Sequence, residues 1–197
     1  MPTWRERLEE FEPYYPMKTR RRDATDEDFE RLEAAMGGAL PADYKAFVRE
    51  CGGVGIEHGD VVVEDGGVRR DIEVFYGFGE PKYGFDLHGK LERFSDRLPK
   101  GMLPIATDTH GNLYVLVVVG ADAGTVLFWE HDGPRDIESA PQWLRGRLDA
   151  ELTRRGRPGN ADDLVERWNE IRGALPWWEC FYLAAPSFDA LITALHH

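Results

Sequence analysis

Four side chains in this sequence have the types that metal-assisted hydrolysis uses: Asp108, His110, His131 and Asp132. Imidazole and carboxylate hold zinc and similar ions, and an ion so held activates a water molecule. Two predicted strands separate the pairs. If residues 113–119 pair with 125–130 around a turn at 120–124, His131 and Asp132 fall opposite Leu113 and Asn112. All four would then meet at one end of a sheet, as a metal-dependent hydrolase requires. The competing reading is local. Asp, His, Gly and Asn in succession build tight turns, and no two of the four stand at a rigid helical spacing. A turn-stabilising network is the preferred reading. It makes Asp108, His110, Gly111, Asn112, Trp129 and His131 structural residues, with no metal and no cofactor expected.

Other catalytic chemistry finds little material. The serines are Ser95, Ser139 and Ser187, and none sits in a Gly-x-Ser-x-Gly elbow. Cys51 falls at the C-terminal end of a predicted helix, where the dipole disfavours a thiolate. Cys180 alternates within an aromatic strand as a small core residue. Gly77-Phe78-Gly79 follows a strand, but Lys82 replaces the third glycine of a dinucleotide fingerprint and Pro81 stands where its helix should start. The sequence is not that of an enzyme.

The elements that must position these residues centre on 103–132. A short apolar strand, the Asp108–Asn112 turn, the unbroken apolar run 113–119 and the strand 125–130 form a meander. A strand apolar at every position needs cover on both faces. Before the meander, Thr25 caps a helix with Asp28 three residues on, and Phe29, Leu32 and Met36 form its buried stripe. Pro41 opens a second helix carrying Tyr44, Phe47, Val48 and Cys51. Strands are predicted at 59–64 and 68–76, and a helix at 86–94. Residues 4–11 form a short helix stopped by Pro13, and Tyr14 and Tyr15 tack this arm to the body; 18–22 reads as a solvated linker. After the meander come two helices at 134–176, a strand at 178–184 and a last helix capped by Ser187.

Composition narrows the function. Acidic residues outnumber basic ones 36 to 24, for a net charge of -12. Such a surface repels phosphate backbones and suits a basic partner, so nucleic acid is not expected. Two cysteines fit a reducing compartment. The charged N-terminus lacks a signal-peptide core, and the longest apolar run is far short of the roughly 20 residues that span a bilayer. A soluble, cytoplasmic protein is expected; its oligomeric state stays open.

Three stretches carry a resemblance. ATDEDFERLEAAMGGALPADYKAFVRECGGV resembles the N-terminal helical signature of the SUKH superfamily, the Smi/Knr-like regulators and bacterial immunity proteins. Residues 103–132 are similar to its second signature, with Leu-Pro-Ile-Ala, an Asp-x-x-Gly-Asn turn, and an aromatic-Trp strand ending in His-Asp. FYLAAPSFDALITAL resembles its closing strand and helix. Cys51 departs from the pattern, standing where an Asn is common. The resemblance implies an α+β fold, a twisted antiparallel sheet with helices packed on it. It also implies a non-enzymatic protein that neutralises a cognate toxin by binding it, or a regulatory scaffold like the fungal members.

Residues 1–24 are then an N-terminal arm and 25–197 a single domain, with 134–176 an inserted helical hairpin that compact members lack. In that insertion Asp163, Glu166 and Glu170 share one face of a predicted helix. Glu166 and Glu170 repel each other at four-residue spacing. A basic toxin surface would relieve that repulsion, so these three are candidate partner-binding residues.

Overall fold

Leu113–Val117 is buried at all five positions, and the rest of the fold supplies the cover that this demands. The structure is a computed structural model describing residues 2–15, 21–57, 59–63, 68–80, 84–130 and 180–196. The first elements are α1 (Trp4–Leu8), β1 (Arg21–Arg22), α2 (Asp26–Met36), α3 (Ala42–Cys51), β2 (Asp60–Val63) and β3 (Val68–Asp71). Next come β4 (Val74–Phe75), β5 (Phe78–Gly79), α4 (Leu87–Arg93) and β6 (Met102–Thr107). β7 (Leu113–Val117), β8 (Val126–Glu130), β9 (Cys180–Ala185) and α5 (Phe188–Thr193) complete the described chain. The main sheet is antiparallel in the order β4-β6-β7-β8-β9, with β2-β3 and β1-β5 as separate ribbons. This is the expected α+β fold. The helical hairpin expected at 134–176 lies outside the described residues.

Register sorts the side chains into two rows, because neighbours along a strand point to opposite faces. Phe75, Ala106, Tyr114, Phe128 and Tyr182 stand in line on one face. Val74, Thr107, Leu113, Trp129 and Phe181 line the other. Phe47 of α3 and Phe188 of α5 cover the first row, with ring centroids 4.8 Å apart and 5.1 and 6.3 Å from Phe75. Trp4 of α1 packs edge-on to the same two rings. Such aromatic pairs add about 0.5–1.5 kcal/mol beyond the area they bury. On the second row Phe94, just past α4, meets Trp129 at 5.7 Å.

The helix signals worked as capping chemistry predicts, and one did more. Thr25 Oγ1 accepts from Asp28 N, and Asp28 Oδ2 accepts from Thr25 N at 2.9 Å. Asp28 is also buried, and both Arg22 guanidinium nitrogens donate to it, at 2.5 and 2.6 Å. The expected solvated linker at 18–22 therefore needs correction at its described end. Arg21–Arg22 is β1, paired with β5, and Arg22 clamps the start of α2. The arm before it docks as expected: Leu8 and Phe11 are buried in the core, and Tyr14 exchanges both backbone bonds with Gly55.

Two strand expectations were wrong. The single strand expected at 68–76 is split between two sheets. Ile72 N donates to Gly59 O, but Glu73 N donates to Thr107 O, so the chain changes partner within one residue. Val74, Phe75 and Tyr76 are consequently all buried, although alternation had put Phe75 on a face apart from its neighbours. The β7–β8 register also differs by two residues. β7 stops at Val117, because Val118 N turns away to Gly101 O, and Trp129 rather than His131 pairs with Leu113.

Gly77 proves to be more than a turn residue. A Cβ there would fall 2.4 Å from Gly52 C and Gly53 N, the backbone that ends α3. Gly77→Ala should force these segments apart and cost about 1–3 kcal/mol, the range for overpacking, read as a lowered melting temperature. A second test uses pH. The Arg22 guanidinium holds the Asp28 carboxyl well below the usual carboxylate range, against the opposing effect of burial. A depressed carboxylate stabilises the fold above the ordinary Asp value near 4 and loses that contribution as pH falls below it. Asp28→Asn should therefore melt well below wild type at pH 7, and the gap should narrow in melts run towards pH 2.

Candidate functional site

Asp108 is 2% exposed, and its carboxylate organises the β6–β7 turn. Oδ1 accepts from His110 N at 2.9 Å and Asn112 N at 2.7 Å, while Oδ2 accepts from Asn112 Nδ2 at 2.7 Å. Thr107 Oγ1 donates to Asn112 O, and Gly111 N to Asp108 O. Gly111 has φ +87°, a conformation that side-chain-bearing residues resist. The backbone thus uses both oxygens of Asp108, as the turn-network reading requires. His110 is exposed, with Nδ1 3.2 Å from Thr109 Oγ1. Trp129 is fully buried, stacked on Phe181.

The turn reaches a residue that sequence reasoning missed. Thr109 N donates to Asp71 Oδ2 at 2.9 Å, which brings the end of β3 against the turn. Ligand atoms of Asp71, Asp108 and His110 lie within 4.8 Å of one another. A cation there would have to share Asp108 with the turn donors. The structure thus brings together Asp108, His110 and Asp71. His131 and Asp132, like Asp163, Glu166 and Glu170, lie outside the described residues.

Asp71 also belongs to a larger acidic surface. It pairs directly across the ribbon with Asp60. Asp60 exchanges its backbone bonds with His196 instead, so Asp60 and Asp71 form the closer, non-hydrogen-bonded kind of cross-strand pair. Like charges placed this way repel. A groove of about 500 Å³ opens beside them, lined by Tyr14, Glu57, Asp60, Asp71, Glu73 and Thr109 among others, with no basic residue in its lining. The Tyr14 phenol is pushed up by burial and then by the Glu73 and Glu57 carboxylates. Tyr114, whose hydroxyl donates to Arg70 O and Asp71 O, is raised well above its ordinary value by burial and then by Asp108 and Asp71. Beyond the groove, the same face of the ribbon carries exposed Val62. Nothing local in the sequence marks this surface, because its carboxylates come from the loop after α3, both ribbon strands and the link into β4. Chemically the groove suits a cationic group, such as a lysine or arginine side chain.

The comparisons with known proteins agree with the meander and the paired helices. The SMI1 / KNR4 family (SUKH-1) matches residues 23–143, more than half of the chain, and the protein belongs to that family. A curated relative, the SPbeta prophage-derived uncharacterized protein YokK of Bacillus subtilis (strain 168), is 29% identical over 125 residues. The match takes in 55% of this chain and 62% of the relative, so less than two thirds of that protein's length is covered. No solved structure matches. Among the described residues no helix is long and apolar enough to cross a membrane.

The turn geometry is testable. Gly111→Val should destabilise the fold by about 1–3 kcal/mol, because valine strains the positive φ on which the Asp108 network depends. The check is a denaturant or thermal melt, and a melt equal to wild type would contradict this account of the turn.

Proposed function

We propose that this protein is a non-enzymatic immunity protein, which neutralises a cognate bacterial toxin in the cytoplasm by binding it directly. The observation that carries the reading is the groove at the β2–β3 ribbon. Four carboxylates from separate segments face one hollow that contains no basic lining residue. Folding concentrates negative charge there without neutralising it, and a basic toxin surface would do so. Family membership supports the reading, as does the net charge of -12. Complementary charge acts chiefly on association rate and orientation, which suits a protein that must capture its toxin before the toxin acts. The stripe at Asp163, Glu166 and Glu170 is proposed as a second acidic contact. The Asp108 turn is proposed as the support that holds Asp71 and Thr109 in place at the groove wall.

The test uses the toxin domain encoded beside this protein's gene. Glu57→Lys, Asp60→Lys and Glu73→Lys combined leave Asp71 and the turn intact. They should slow association by about tenfold or more at low salt and flatten its dependence on ionic strength. Asp163→Lys, Glu166→Lys and Glu170→Lys combined should do the same to a smaller degree. His110→Ala should leave binding nearly unchanged. Association curves for the groove variant that superimpose on wild type would remove the groove from the interface. Absence of any complex with the wild-type protein would sink the immunity reading itself.

A further inference from the structure

Of the chain's five lysines, Lys90 sits where a lysine is least expected. It lies on the inward side of α4, three residues after fully buried Leu87 and four before buried Phe94, a position that helical periodicity assigns to an apolar side chain. Asp86 fixes the start of this helix by accepting from Gly89 N at 2.9 Å, so Lys90 cannot easily rotate outwards. Its stem crosses the sheet edge, and Nζ lies 4.3 Å from the centre of the Tyr76 ring and 6.0 Å from that of Phe94. In a chain with 36 acidic residues, no carboxylate among the described residues pairs with it. The charged and titratable groups set against it are Arg93, on its own helix, and Tyr76, on the segment after β4. The contrast is Lys45, whose Nζ is held by Glu33 at 2.9 Å.

We propose that Lys90 is an acyl-acceptor site, its ε-amine taking an acyl group from an activated donor, an acyl phosphate or an acyl thioester. In the reaction the Nζ lone pair attacks the carbonyl carbon and the new C–N bond forms. The C–O bond to phosphate, or the C–S bond of the thioester, breaks, and the leaving group departs with the electron pair. The surplus proton on nitrogen passes to water. No electron transfer is involved. The product is a neutral amide lying on two aromatic faces, an environment that suits it better than it suits an ammonium.

Only the uncharged amine is a nucleophile. Burial, and after it the Arg93 guanidinium, push the Lys90 pKa down to about 8, whereas an ordinary lysine stands near 10.4. The ring faces act in the opposite sense, since they attract the ammonium. The experiment decides between them. Folded protein is incubated at pH 7.5 with acetyl phosphate, and in a second arm with acetyl-coenzyme A, and acetylation at each lysine is followed by peptide mass mapping. Lys90 should be modified about tenfold faster than exposed Lys100 in at least one arm, given the larger fraction of free amine. The arm that reacts identifies the donor class. The lead should shrink at pH 10.5, where Lys100 is also largely uncharged, and vanish when the chain is unfolded in urea. Lys90→Arg should remove the fast site and leave the rates at Lys45 and Lys100 unchanged. A Lys90 rate at or below that of Lys100 at pH 7.5 in both arms overturns the proposal, as does a lead that persists in urea.

Discussion

A strand without a polar face is the constraint from which this architecture follows. Leu113–Val117 can satisfy its backbone only in a sheet, and can bury its side chains only if something packs above and something below. The chain meets both demands with material from distant parts of the sequence. Phe47 and Phe188 arrive on one face from helices on either side of the meander, and Phe94 arrives on the other from the segment just before it. The β2–β3 ribbon then lies where the covered sheet ends. Its Asp71 is tied to the Asp108 turn by one backbone hydrogen bond from Thr109. The acidic groove is therefore a by-product of covering the sheet, held by the same turn that starts β7.

How much of this was legible depends on the range of the interaction. Thr25 with Asp28, Asp86 as a cap, Gly37 in left-handed conformation and Ser187 before α5 are contacts within a few residues, and residue type alone locates them. The Asp108 turn belongs with them, since every partner of its carboxylate lies within four residues. What alternation could not show was the break at 72–73. Ile72 and Glu73 look like an ordinary continuation of a strand, and only the competing partners Gly59 and Thr107 divide it. The β7–β8 register was missed for a similar reason. Val118 and Val119 extend the apolar run, yet Val118 bonds to Gly101 and has already left the strand.

The acidic surface shows the same limit on the functional side. Glu57, Asp60, Asp71 and Glu73 are individually unremarkable in a chain with 36 acidic residues. They become a site only because the ribbon aligns Asp60 with Asp71 and the link into β4 sets Glu73 beside them. Arg22 is the opposite case. It looked like one charge in a solvated run, and its burial partner Asp28 was assigned to capping alone. The short β1–β5 pairing brings them together, and that pairing carries no propensity signal in two residues.

The packing of α1 against α5 bears on how the chain is made. Arg7 reaches Asp189 and Thr193 across more than 180 residues of sequence, and Trp4 and Phe47 share the ring of Phe188. During synthesis the first two of these aromatic rings leave the ribosome long before the third. Phe75 joins them early as well, so an apolar hollow stays open until the last helix emerges and fills it. The meander can form its local pairings in the meantime, but the cover on that face of the sheet is completed only by contacts of the longest range in the fold, whose closure is entropically the most demanding. A nascent chain of this protein therefore carries its stickiest surface for most of its translation, and the burden of keeping it apart from other chains falls on chaperones rather than on the fold.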